Sequence, residues 1–221
     1  PNGLVAAALL ARAGVAVTVL EAADEIGGGT RTVEAIVPGL LVDHCSAVHP
    51  MAVGSPVLEE LGLDRYGLRW RLPEVDCAHP LDGGDAGVLV RSVAGTAAGL
   101  GADGALWRAL FTGPVRDYDT FSPDFLGPLV RIPRHPLLLA RFGAPTVLPA
   151  EVLARAFRTE RGRALFLGSA SHAFRPLNRP LSSAIGLGLF TAGHRHGWGV
   201  AEGGSRAISD ALAAVLAEHG A

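Results

Sequence analysis

Residues 1–29 read PNGLVAAALLARAGVAVTVLEAADEIGGG. Asn2–Gly3 reads as a tight turn feeding an apolar helix over Leu4–Ala13, closed by Gly14. A strand is predicted over Ala16–Leu20, followed by an acid, Glu21, and then a glycine loop. Turn, helix, strand and acid, in that order, form the second half of a dinucleotide-binding unit. A helix apolar on nearly every side is expected to lie buried against a sheet. Gly3 stands where the third glycine of G-x-G-x-x-G belongs, and Glu21 lies where a carboxylate accepts both ribose hydroxyls of an adenosine. Such an acid favours FAD or NAD over NADP. From these residues alone, an ordinary buried helix and strand with an acid at the strand end remains the alternative.

Working outward, the 221 residues suffice for one large domain or two small ones. With 49% apolar residues and a net charge of −2, the chain is a packed globule with no global attraction to nucleic acid. No run has the length and apolarity of a transmembrane span. Cys45 and Cys77 stand far apart, which argues against a disulfide framework and for a reducing, cytoplasmic setting. All 19 basic residues are arginine, so Schiff-base chemistry and a lysine base are excluded.

Further along, Thr32–Asp43 reads as two short strands around Pro38–Gly39. Pro56–Leu61 reads as a helix capped by Ser55 and stopped by Gly62. Strands are expected in LRWRL, VDCAHPL and AGVLVR between 68 and 91, with DGGD (82–85) as a hairpin turn. From Ser92 the spacing turns helical, over 93–99, 103–113, 124–131, 136–142, 149–159, 160–171, 180–193 and 204–218. The expected division is 1–91, a nucleotide-binding and mixed β region; 92–200, mostly helical; and 201–221, a helix returning to the first part.

The segment EAADEIGGGTRT places Gly27–Gly28 six residues beyond Glu21. It resembles the corresponding segment of FAD-dependent amine oxidases and phytoene desaturases. LLVDHCSAVHP, FTGPVRDYDTFSPDFLGPL, RTERGRALFLGSASH and GWGVAEGGSRAISDALAAVL are similar to later segments of phytoene dehydrogenase-like NAD(P)/FAD-dependent oxidoreductases, in that family's order. The resemblance implies an α/β chain: a partial Rossmann-like FAD-binding fold, a small β layer and a mostly helical substrate or cap region. It places Pro1, Asn2 and Gly3 at the FAD pyrophosphate and Glu21, with Ala22, at the adenosine ribose. Gly27 and Gly28 would bring backbone N–H groups to the pyrophosphate, and Ser46 and Ala47 would pass near the flavin. Many relatives carry arginine where this chain has Gly29; Arg31 is the candidate substitute. Gly203–Gly204 would open the last helix.

The implied activity is FAD-dependent hydride removal from an apolar or amine-bearing substrate, with no assignable catalytic acid or base. A non-catalytic binding or scaffolding module with a degenerate dinucleotide fold is the alternative. Because G-x-G-x-x-G is incomplete, the sequence is expected to be an internal piece of a longer protein; a complete protein with a degenerate fold is the competing account.

Other patterns carry less. HRH (194–196) lacks a completing ligand for a metal and suits surface or packing roles. GSASH (168–172) is not a nucleophile elbow. His44 and His49 face flavin or substrate, or are satisfied internally, and Cys45 is a covalent flavin anchor or a small core residue. Residues 131–163 carry seven arginines against Glu151 and Glu160, which suits a solvated helical face or contact with an anionic membrane surface.

Overall fold

The computed structural model describes residues 1–128 and 132–221. Along the chain lie α1 (Asn2–Arg12), β1 (Thr32–Val33), β2 (Val42–Asp43), α2 (Pro50–Val53), α3 (Pro56–Leu61), β3 (Trp70–Arg71), β4 (Cys77–Pro80) and β5 (Ala86–Leu89). Then follow α4 (Val93–Gly99), α5 (Gly104–Leu126), α6 (Pro136–Thr146), α7 (Ala150–Ala154), α8 (Glu160–Ala170), α9 (Ser183–His196), β6 (Val200–Ala201) and α10 (Arg206–Glu218). The chain divides into two units, 1–73 with 198–221, and 74–197. The boundary expected after residue 91 thus falls inside the second unit, because the β4–β5 hairpin packs on α8.

In the first unit, Leu4, Ala7, Ala8 and Ala11 form one stripe of α1. They pack with Ile208, Leu212, Val215 and Leu216 of α10 and with Leu61, Leu63 and Leu68. This i, i+3, i+4, i+7 spacing buries a single face. The helix is not enclosed on all sides as expected: Leu9 and Leu10 are exposed.

The strand expected over 16–20 also does not form. The segment has no ladder, and Val15, Val19 and Leu20 are exposed. A strand exists only where a neighbour supplies backbone partners, and none of the described residues pairs with this segment. Among them the sheets are three antiparallel pairs, β1–β2, β3–β6 and β4–β5. The β3–β6 register, Trp70 opposite Ala201, ties the middle of the sequence to its end. The parallel element of the Rossmann-like expectation is therefore absent from the described residues.

Helix α3 spans the expected residues and stops at Gly62 in the left-handed region, although the Ser55 side chain makes no cap bond. The DGGD turn joins β4 to β5.

The second unit is built on α5. Its expected break near Pro114 does not occur, and the helix runs through both Pro114 and Pro123. Trp107, Phe111, Tyr118 and Phe121 lie buried along one face, and this burial outweighs the cost of proline in a helix interior. Residues 129–131 of the expected 124–131 helix lie outside the described residues. Buried Asp124 accepts the Arg134 and His135 N–H groups (3.0 and 2.9 Å) at the start of α6.

Trp107 packs against Phe111 (4.5 Å between centroids) and Phe190 (5.1 Å). Its indole N–H donates to His194 Nε2 at 3.0 Å. Nε2 is therefore the acceptor, which leaves Nδ1–H to donate to the Arg91 carbonyl at 2.9 Å. So His194 of the HRH pattern is a packing residue. Burial, partly opposed by hydrogen bonding to the Arg91 and Val90 carbonyls, pushes its imidazole down from 6.5 to about 4.

The unfolded chain therefore binds a proton at pH values where the folded chain does not. Stability should fall as pH drops from the ordinary histidine range to about 4, by up to about 3 kcal/mol. His194→Gln keeps a hydrogen-bonding side chain but does not titrate. Urea unfolding across this pH window should show most of that slope lost in the variant.

Candidate functional site

The candidate site lies in the first unit, around the first turn of α1. The first N–H groups of any helix have no intrahelical acceptor and carry the positive end of the dipole. In α1 no side chain caps them. A cavity of about 520 Å³ opens here, lined by Pro1, Asn2, Val5, Thr30, His49 and Met51 among others. A second, of about 300 Å³, is lined by Leu4, Val17, Thr18, Val19, Glu21 and Ile26 together with the end of α10. Successive residues Leu4 and Val5 line different cavities, so the first turn of α1 separates the two.

Glu21 stands at the second cavity. Its carboxylate accepts the Ala23 N–H at 2.9 Å, and Arg31 Nη2 lies 3.9 Å away. The Ala23 N–H, aided by Ala22 N–H and Arg31, holds the carboxyl below the usual range. It is ionised at neutral pH, with lone pairs left for further donors. Arg31 itself donates to the Glu25 and Ile26 carbonyls. The guanidinium of Arg31, the candidate substitute for the arginine of relatives at Gly29, thus closes the 21–31 loop.

The glycines differ in what they face. Gly27 adopts φ +106°, and a Cβ there would come within 2.9 Å of Ser209 Oγ. Its close approach is to α10. At Gly3 and at Gly28 (φ +55°) a Cβ would meet no heavy atom within 4 Å. At Gly3 neither packing nor backbone conformation requires glycine, whereas at Gly28 the left-handed backbone favours it and the space beside it is open. Free helix N–H groups, an ionised acid and open glycine backbone fit the pyrophosphate and ribose end of a dinucleotide.

The loops are held by polar contacts to α10. The Ser205 N–H donates to Asp43 Oδ1 (2.8 Å), the Arg206 N–H to Thr32 Oγ1 (2.9 Å), and the Thr32 hydroxyl to Asp43 Oδ1 (2.7 Å). The Ser205 hydroxyl donates to the Ser46 carbonyl at 2.6 Å, so at 2.8 Å it accepts from His49 Nε2–H. Nδ1 is then free to accept from Ser46 Oγ, 3.4 Å away. His49 is thus both internally satisfied and at the cavity wall; burial, opposed by Asp43, lowers its affinity for a proton.

Sequence reasoning proposed Ser46 for the flavin; in the structure Ser46 serves this network. Ala47, His44 and Cys45 are exposed, so Cys45 is not a core residue. Thr30, whose hydroxyl meets Ser209 Oγ at 2.8 Å, and Ser205 were not anticipated. The Gly203–Gly204 pair just before Ser205 was the available signal. No His/Cys/Asp/Glu group among the described residues could hold a metal.

The sequence profile of the flavin containing amine oxidoreductase family matches residues 2–221. No protein of curated function matches the chain.

Asp43 accepts two hydrogen bonds, one from the start of α10 and one that joins β1 to β2. Asp43→Ala should destabilise the first unit by about 2 kcal/mol, and Asp43→Asn, which keeps an acceptor, by less than half of that. Urea unfolding of the two variants provides the comparison.

Proposed function

We propose, for a chain that belongs to the flavin-containing amine oxidoreductases, that its flavin is FAD and that α1 and Glu21 hold the adenosine end. The family makes the protein a flavin-dependent oxidoreductase. The observation that carries the finer assignment is the position of ionised Glu21 beside a cavity adjoining the uncapped first turn of α1. A carboxylate accepts ribose hydroxyls through charge-assisted hydrogen bonds, which are stronger than neutral ones. The N–H groups of Asn2 and Gly3 offer donors to phosphate oxygens, and Gly28 leaves room for close approach.

When bound, the flavin would accept a hydride from the substrate. The chain's own residues bind, orient and exclude water. We assign substrate recognition to the helical unit, 74–197, and favour an apolar, phytoene dehydrogenase-like substrate over a charged amine. The likeness of FTGPVRDYDTFSPDFLGPL and RTERGRALFLGSASH, both within that unit, to segments of phytoene dehydrogenase-like oxidoreductases supports this reading. No helix among the described residues is long and apolar enough to cross a membrane.

Glu21→Ala should weaken FAD binding by about tenfold or more, and Glu21→Gln by less, since the amide oxygen still accepts. Fluorescence-quenching titration of FAD into the two variants measures this. Equal affinity in parent and Glu21→Ala would refute the ribose assignment.

A further inference from the structure

Among the described residues, the non-glycine positions with positive φ are Phe174 (+49°) and Leu181 (+67°). Bulky side chains disfavour this region, because Cβ crowds the backbone. Such strain persists where the surrounding structure over-determines the backbone. The side chains so presented are left in solvent: Phe174 is 92% exposed and Leu181 52% exposed. The Phe174 ring does lie 6.5 Å from that of His172, a distant edge contact that leaves it in solvent.

Both residues belong to one loop, Phe-Arg-Pro-Leu-Asn-Arg-Pro-Leu, residues 174–181, in which Arg-Pro-Leu occurs twice. The loop is firmly held from its inner side. The Leu181 N–H donates to the Val147 carbonyl (3.1 Å), and the Glu151 N–H to the Leu177 carbonyl (3.2 Å). The Ser182 hydroxyl donates to the Leu177 carbonyl and accepts the Ala150 N–H, each at 2.8 Å. These bonds bring exposed Val147, at the end of α6, beside Leu181, and Ile185 in the first turns of α9 is exposed as well.

Arg175 and Arg179 are exposed, and no ion pair reaches either among the described residues. The loop itself contains no acid; Glu151 is the nearest acid in the contacts above.

We propose that the 174–181 loop, with Val147 and Ile185, docks this chain on an anionic lipid surface. Phe174 and Leu181 would enter the boundary between headgroups and acyl chains, and Arg175 and Arg179 would engage lipid phosphates. Exposed apolar tips gain by leaving water, and the planar guanidinium fork matches phosphate oxygens. The adjacent charges meet the negative potential of anionic lipid. The surface differs from the 131–163 arginine run suggested by sequence: it lies mostly beyond that run and combines cations with strained apolar side chains. It does not depend on flavin binding.

The test is sedimentation of the 221-residue chain, free of flavin, with vesicles of phosphatidylcholine alone and of phosphatidylcholine with phosphatidylglycerol in equal parts. The expected result is binding to the anionic vesicles that weakens with salt. The double variant Arg175→Gln/Arg179→Gln should bind them about tenfold more weakly. Phe174→Gly should also lose about tenfold, while melting at the same temperature as the parent or higher, because glycine relieves the left-handed strain. That variant separates loss of docking from loss of fold. The proposal is overturned by no binding to anionic vesicles, by equal binding to neutral ones, or by variants that bind like the parent. It is equally overturned if the chain forms a stable dimer that Phe174→Gly dissociates, which would make the loop a protein interface.

Discussion

The first unit depends on how α10 begins. Its opening N–H groups are received by Asp43 and by Thr32, residues more than 150 positions earlier in the chain. The same helix start holds Ser46 and His49 through Ser205, and one turn later Ser209 meets Thr30 and crowds Gly27. A helix terminus buried without partners is costly. Satisfying it with loop side chains folds the 27–49 segment against α10. Because α1 packs on α10, the cavity at the start of α1 acquires a wall made of those loops. The candidate nucleotide site is thus positioned by polar contacts between the two ends of the sequence, more than by any strand.

Much of this was legible where the signal is local. Pro56 and Gly62 bracket α3, because proline and glycine constrain the backbone at their own positions, and the helical spacing from Ser92 gave the bounds of α4. Glu21 was legible as an exposed acid after an apolar run. The 16–20 strand was not, since a β-rich composition states a preference that only a neighbour can realise. The length of α5 was missed for the opposite reason. Proline weighs heavily in local reasoning, and the burial that overrides it is visible only once Phe111, Tyr118 and Phe121 are seen on one face.

Site residues divide along the same line. Gly3 faces open space, as a cofactor-facing role requires; Gly28 faces open space too but in a left-handed turn, whereas Gly27 and Ser46 are used by the protein itself. A sequence motif cannot separate these uses, because glycine is equally suited to admitting a ligand and to admitting another helix. Arg31 shows the same ambiguity for a charge. It lies close enough to Glu21 to share its field, yet its donors are directed to loop carbonyls.

The two prolines inside α5 divide that helix without breaking it. Each lacks an N–H, so the ladder of hydrogen bonds is interrupted at Pro114 and again at Pro123. Breathing of the helix then proceeds in pieces. The stretch 104–113 is anchored by Trp107 and Phe111 and the stretch beyond Pro114 by Tyr118 and Phe121, so each piece opens only by exposing its own aromatic side chains. Asp119 lies in that second stretch and pairs with Arg195 and His196 of α9. Local opening between the prolines therefore breaks a surface ion cluster and uncovers Tyr118 and Phe121, while Trp107 and Phe111 stay packed in the preceding piece of the helix.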